Sequence, residues 1–443
     1  MVKEIMTLYK THNYPAVKEI LLKMNIVDIA DELGAMEESD VVKIFRMLPK
    51  DKAAEVFAYL DNQTKQEVVG AITDAEAASL IDDLFLDDAV DFIEEMPASV
   101  VTRILERVPR EKREQINLIL SYPDDSAGSI MTIEFVELKL GMTVKQAFDH
   151  IRLTGTDRET IYTCYVISPD RRLLGTVSVR ALLLSGDNEP VENLMDTQPI
   201  YSHTLDDQES LMEDFRKYDL LALPVVDNEN RLVGIVTIDD AFEIQEEEAT
   251  EDFEIMAAMS PSEKPYLKTS VLTLTKNRIL WLLLLMLSAT ATGAIISGFE
   301  GALAVVPALV TFIPMMMDTG GNAGSQSSTL VIRGMALEEI HLHDIGRVLW
   351  KEIRVAVLCG AVLVGVNFVR VLVTNRDATV ALTVSLALFA TVLVAKTVGC
   401  LLPMGAKKLK MDPAVMASPV ITTIVDAASL AMFFGLAVWI LKI

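Results

Sequence analysis

The sequence predicts a multidomain chain with an all-α superhelical N-terminal domain, a duplicated α/β pair, and a five-helix α transmembrane domain. Three observations carry that prediction: a shift from acidic to apolar composition near Lys276, a twelve-residue apolar period upstream, and a longer internal repeat between them. With 443 residues, 23% of them charged, and a formal net charge of -24, the chain is too polar and too apolar at once for a single globule. An acidic excess of this size argues against nucleic acid, whose phosphates require surplus Lys and Arg. It suits a surface that meets cations.

From Met24 to Leu120 an apolar residue recurs every twelve positions, at Met24, Met36, Leu48, Leu60, Ile72, Leu84, Met96, Val108 and Leu120. Pro49, Pro97 and Pro109 follow three of them and would end one helix and start the next. Stacked short helices over residues 1–127 are the natural reading, since none could bury its face alone. Met1 to Lys10 lacks the apolar core of a signal peptide, which is expected to leave this acidic half in the cytosol. Asp87, Asp88 and Asp91 crowd carboxylates at helical spacing and repel unless a cation sits between them. A merely solvated face stays open on charge pattern alone.

Residues 128–244 hold the second repeat. Tyr165-Val-Ile-Ser-Pro-Asp-Arg-Arg-Leu-Leu-Gly-Thr-Val-Ser-Val179 answers Pro224-Val-Val-Asp-Asn-Glu-Asn-Arg-Leu-Val-Gly-Ile-Val-Thr-Ile238 at an offset of about 60 residues. Each half reads as strand, turn, strand, helix. The pattern resembles a tandem pair of CBS domains, which implies sensing of small ligands, often adenine nucleotides such as ATP, and little catalysis. An acidic connecting helix is expected over residues 245–275. Its Glu243 to Glu254 stretch carries seven acidic residues and no basic one.

Five spans are read beyond it: Ile279 to Ile296, Leu303 to Met317, Val355 to Val373, Ala378 to Leu402 and Ala414 to Leu441, within a transmembrane domain of residues 276–443. The second is short, so it is expected to continue into Asp318-Thr-Gly-Gly-Asn-Ala-Gly-Ser-Gln326 as a glycine-rich break lining a cavity. Lys and Arg in the loops after spans two and four place those loops, and the N-terminus, inside; Ile443 then lies outside. Cys164, Cys359 and Cys400 fit no metal or disulfide spacing and read as small buried thiols.

Inside the last span stands Asp426, with Ser418 and Thr422 at i-8 and i-4 on one helix face. An intramembrane carboxylate is costly and usually marks an ion pathway. An oxygen-only ladder suits a hard cation such as magnesium, which sheds water reluctantly. A structural carboxylate paired with Lys396 is the competing account, and Thr422 and Thr423 have back-bonding to the preceding turn as theirs.

Taken together, the acidic helical stack, CBS pair, acidic connecting helix and five spans resemble the MgtE family of magnesium transporters and channels. The most specific pieces are Asp318 to Gln326, Asp412-Pro-Ala414 and Pro419-Val-Ile-Thr-Thr-Ile-Val-Asp426. The resemblance implies a homodimer in the plasma membrane, with no enzymatic activity, moving Mg2+ inward down its electrochemical gradient. Asp426 would bind the ion, with Ser418, Thr422, Thr423 and Asn322 lining the pore. It further implies cytosolic magnesium-sensing at Glu55, Asp87, Asp91, the Gly128 backbone, Glu209, Asp219, Asp240, Glu243, Glu248, Glu251 and Asp252, closing the pore when internal magnesium is high. Ser418 and Glu243 depart from the amide and Asp common in relatives. A CBS-gated, nucleotide-sensing transporter of another divalent cation or solute is the rival reading.

Overall fold

The computed structural model describes residues 2–94, 96–262, 266 and 269–442. They form two compact units, residues 1–245 and 246–443.

Unit one opens with helices α1 (Val2–Lys10) and α2 (Tyr14–Lys23). Eight further helices follow, each starting twelve residues after the last: α3 (Ile26–Gly34), α4 (Glu38–Phe45), α5 (Lys50–Ala58), α6 (Asn62–Ala71), α7 (Asp74–Asp83), α8 (Leu86–Glu94), α9 (Ala98–Leu105) and α10 (Arg110–Ile119). The recurring apolar residue sits two positions before each start, where Leu48, Leu60, Leu84, Met96 and Val108 tuck the junction into the core. Pro49, Pro97 and Pro109 occupy the N-cap positions of α5, α9 and α10. Other starts are capped by side chains: Asp61 accepts from the Thr64 amide at 3.2 Å, and Thr73 with Glu76 forms a reciprocal capping box. Phe57 stacks edge-on against Phe45 and Phe92 at 6.2 and 5.1 Å, joining α4, α5 and α8 through their apolar faces.

The duplicated α/β units follow. The first comprises β1 (Val136–Lys139), α11 (Val144–Thr154), β2 (Thr163–Ile167), β3 (Leu173–Ser178) and α12 (Val179–Leu183); the second comprises β4 (Ser202–His203), α13 (Gln208–Tyr218), β5 (Ala222–Val226), β6 (Leu232–Thr237) and α14 (Ile238–Met256). Each sheet pairs its first two strands parallel and its last two antiparallel. Arg171 and Asn230 turn the two hairpins with left-handed backbones, φ +66° and +60°. Phe135, Tyr165, Ile167, Ala222, Leu232 and Ile235 bury one shared apolar cluster between the sheets. The leading strand and helix of each unit extend the strand-turn-strand-helix reading. β4 is only two residues long, too short to leave an alternating pattern. The acidic connecting helix is α14, and it stops at Met256 before left-handed Ala258 (φ +54°) and Pro261.

Unit two contains α15 (Val271–Gly298), α16 (Glu300–Val305), α17 (Ile313–Ala336), α18 (Ile345–Asn375), α19 (Ala378–Lys408) and α20 (Ser418–Leu441). Among the described residues four helical segments are long and apolar enough to span a membrane: Val271–Gly298, Leu342–Asn375, Ala378–Lys408 and Pro413–Leu441. The expected second span is redistributed: α16 and a 3-10 turn, Pro307–Phe312, precede α17, which carries the polar glycine segment. That segment is regular helix, not a break. Its glycines serve close packing. A Cβ on Gly320 would lie 2.7 Å from the Ser429 hydroxyl, one on Gly321 2.9 Å from Thr422, and one on Gly324 2.7 Å from Ile421. Across the junction, a Cβ on Gly399 would meet the Gly324 carbonyl oxygen at 2.3 Å. Gly399→Ala must therefore push α17 and α19 apart, and is expected to cost about 1–3 kcal/mol, read as a lowered melting temperature of the detergent-solubilised protein.

The competing account, a pairing of Asp426 with Lys396, is not formed among the described residues. Lys396 lies 3.9 Å from Glu352 and donates to Ser327 at 3.2 Å. Cys164 and Cys400 are buried free thiols, but Cys359 is exposed on α18 rather than buried. His341 caps and His343 lies within the 3-10 turn Leu342–Asp344, 3.9 and 3.4 Å from the Asp344 carboxylate.

Candidate functional site

Two sets of carboxylates stand out, one in each unit. In unit two, Asp412 caps the short turn Pro413–Met416 by accepting from the Ala414 amide at 2.7 Å, and α20 runs on from there. Asp426 is half-buried, and its Oδ1 is enclosed with no hydrogen-bond partner among the described residues. Thr422, one turn earlier, packs on Gly321, so close approach of α17 brings that helix beside the carboxylate. On α17 the exposed Asn322 donates to Asp318 at 3.1 Å, and the Asp318 charge reaches Asp426. This face holds two carboxylates, an amide and a hydroxyl, oxygen chemistry suited to a hydrated hard cation. The Thr423 hydroxyl bonds back to the Pro419 carbonyl at 3.0 Å, the back-bonding weighed for it from the sequence. The Ser418 side chain lies outside the described residues.

In unit one, α8 carries Asp87, Asp88 and Asp91 toward the second α/β unit. Asp87 is 8% exposed, and burial followed by the charges of Asp240, Glu159 and Asp88 pushes its carboxyl well above the usual range. Burial likewise raises Asp88 to about 6 and Asp240 to about 7. Asp91 is raised to about 7 by the same cause and by Asp240, with Lys65 opposing. Glu159, on the loop between α11 and β2, is raised to about 8, first by burial and then by Asp240 and Asp88. Its Oε2 is buried without a hydrogen-bond partner among the described residues. Lys65, itself 8% exposed, offsets this charge at Asp88 and Asp91. Nearby Glu134 accepts from the Leu86 amide at the start of α8 at 2.9 Å and from Lys112 at 3.3 Å, tying the helical stack to the α/β pair. No three His, Cys, Asp or Glu side chains gather at metal-ligand spacing among the described residues. The cluster is a field of like charge rather than a closed coordination cage.

The remaining predicted residues scatter. Glu55 is exposed on α5, and Glu209 is exposed in the first turn of α13. Asp219 closes α13 with a left-handed backbone, φ +51°. Glu243 is exposed one turn beyond Asp240. Gly128 is buried, donates to the Thr204 carbonyl at 2.9 Å, and has no room for a Cβ against Tyr122, which gives it a packing role. Glu248, Glu251 and Asp252 lie on the later turns of α14. Asp252 is raised by burial and by the charges of Asp412 and Glu248, with Arg333 opposing. The acidic end of α14 thus lies near the turn that leads into α20. Sequence reasoning singled out Asp88 beside Asp87 and Asp91, but not Asp318, Glu134 or Glu159 as candidate site residues. Asp318 stands one turn before Asn322 in the same polar segment, a signal that could have found it; Glu159 sits in a loop with no periodicity to mark it.

A carboxylate-bearing helix in an apolar multi-helix unit, in one chain with an acidic helical stack and a CBS-like pair, is the makeup of a membrane transporter of divalent cations. Residues 313–436 match the family model described as MgtE, divalent cation transporter; residues 24–125 match the MgtE intracellular N domain and residues 191–247 the CBS domain. The chain belongs to the MgtE family of magnesium transporters. It is 33% identical over 428 residues to the magnesium transporter MgtE of Thermus thermophilus, covering 95% of this chain and 94% of that protein. Identity to the Bacillus subtilis magnesium transporter MgtE is 32% over 424 residues, covering 93% and 94%. Among solved structures, the soluble part of a magnesium transporter superposes with a TM-score of 0.53 at 27% identity, covering 56% of this chain and 98% of that one. The cytosolic domain of the Mg2+ channel MgtE in complex with ATP gives 0.53 at 29% identity, covering 55% and 100%.

Proposed function

We propose that this chain is a homodimeric magnesium channel of the plasma membrane, conducting hydrated Mg2+ inward past Asp426 and closing when cytosolic Mg2+ is abundant. The carrying observation is Asp426 on α20, beside Asp318 and Thr422, within an otherwise apolar segment. A divalent ion gains about 4.6 kcal/mol per 100 mV of inside-negative potential, so no coupled ion is needed. Homodimer formation is supported by apolar side chains exposed on helices of both α/β units: Leu153, Leu183, Phe242 and Phe253. Phe242 edges a depression of about 390 Å³ between α13 and α14.

For the gate, the sensing carboxylates are Asp87, Asp91 and Asp240 with Asp88 and Glu159, aided by Glu55, Glu209, Asp219, Glu243, Glu248, Glu251 and Asp252. Bound Mg2+ relieves their mutual repulsion and selects the compact state. Asp252 beside Asp412 supports a path from α14 to the start of α20. An adenine nucleotide at the CBS pair is a second ligand, on the precedent of the related cytosolic domain solved with ATP.

Uptake into liposomes tests the reading. Mg2+ influx should grow with inside-negative potential with no sodium or proton gradient imposed; a strict requirement for either gradient would overturn it.

A further inference from the structure

We propose that the buried Lys396–Glu352 pair, bridged by Ser327, is a positioning device for the inner mouth of the pore, acting through Ser328; the proposal rests on the pore reading above. The side chains of Lys396 on α19 and Glu352 on α18 are only 7% and 12% exposed. Their charged atoms stand 3.9 Å apart, and the hydroxyl of Ser327 on α17 fills the gap. It donates to Glu352 Oε2 at 2.5 Å and accepts from Lys396 Nζ at 3.2 Å. Three helices therefore meet at one hydroxyl. The next residue, Ser328, is fully buried and donates to the Met416 carbonyl at 3.1 Å, in the turn that leads into α20.

A well-packed apolar trio would serve bundle stability as well as this buried pair, whose desolvation offsets its attraction. What the pair adds is register. Successive residues of α17 grip opposite neighbours, the ion pair on one side and the mouth of the pore helix on the other. One turn earlier, the close approach of Gly324 to Gly399 holds α17 against α19. Loss of the charge pair frees the Ser327 hydroxyl, lets this part of α17 shift, and with it the Ser328 grip on Met416. The mouth then no longer holds the width that suits one hydrated ion.

The test is flux of Mg2+ and of Ca2+ into liposomes by the full-length chain, for Glu352→Gln, Ser328→Ala, their double variant and the charge swap Lys396→Glu with Glu352→Lys. Each single change should lower the Mg2+ to Ca2+ flux ratio by about fivefold, and the double change no further than either single one, because contacting networks are non-additive. The swap should recover part of the ratio. Should Glu352→Gln not yield folded protein, Ser328→Ala and the swap carry the test. An unchanged ratio in folded Ser328→Ala or Glu352→Gln, or effects that add in the double variant, would overturn the proposal. Asp426→Ala measured alongside separates the two readings: loss of flux there with unchanged ratios elsewhere rejects the positioning device alone.

Discussion

Asp426→Ala is expected to abolish most Mg2+ uptake while leaving the protein folded. Among the described residues the Oδ1 of this half-buried carboxylate has no hydrogen-bond partner, so removing that oxygen breaks none. Contacts between a charged group and a hydrogen-bond donor are worth about 1.5–3 kcal/mol. At tenfold per 1.4 kcal/mol, flux should fall by about 10-fold to 100-fold for each carboxylate lost, and a homodimer loses two. Asp426→Asn keeps the shape and should fall nearly as far, because charge rather than volume holds the ion. Radiotracer or dye-reported uptake in the same liposome preparation reads both. Parent-level uptake in either variant would contradict the assignment of Asp426.

The acidic cluster of unit one makes the second large prediction. Asp88, Asp91, Asp240 and Glu159 are raised to about 6, 7, 7 and 8, and Asp87 is raised as well. The folded unit therefore keeps protons that an opened chain gives up near its ordinary carboxylate pKa of about 4. Folded protein binds more protons than unfolded across this window, so its stability is present below about pH 4 and falls as pH rises through 6 to 8. Mg2+ supplies the positive charge that protons no longer do. Without divalent cations, the cytosolic unit of the full-length chain should melt at a lower temperature at pH 8 than at pH 5.5. Added Mg2+ should raise the melting temperature more at pH 8. Converting Asp87 and Asp91 together to Asn should stabilise the divalent-free protein at pH 8 and blunt the Mg2+ effect, as measured by thermal scanning and by protease resistance. A Mg2+ response equal at both pH values, and unaltered by the two substitutions, would reject the cluster as the sensor.

How much of this was legible in the sequence differs by element. The twelve-residue period became eight equally spaced helix starts, because the repeating residue anchors each junction and proline enforces several of them. The hairpins of the α/β units could be read from their turns and alternation, whereas β4, two residues long, could not. The glycine-rich segment after Met317 was misread as a break. Glycine lowers helix propensity in isolation, yet inside a bundle the same residues allow backbone approach, and the contacts of Gly320, Gly321, Gly324 and Gly399 decide the outcome. Asp426 was legible because a charge in an apolar run is conspicuous. The Glu352 partner of Lys396 was not, since the two lie on different helices and only packing through Ser327 unites them. Glu159 belongs to the acidic cluster by tertiary folding alone.

The most direct measurement is anomalous diffraction from crystals of the full-length protein grown with Mn2+ standing in for Mg2+. The account predicts a peak between two copies of α20 at the level of Asp426, absent from Asp426→Ala crystals. A dimer whose α20 helices lie apart, or a peak that persists unchanged in the variant, would contradict it.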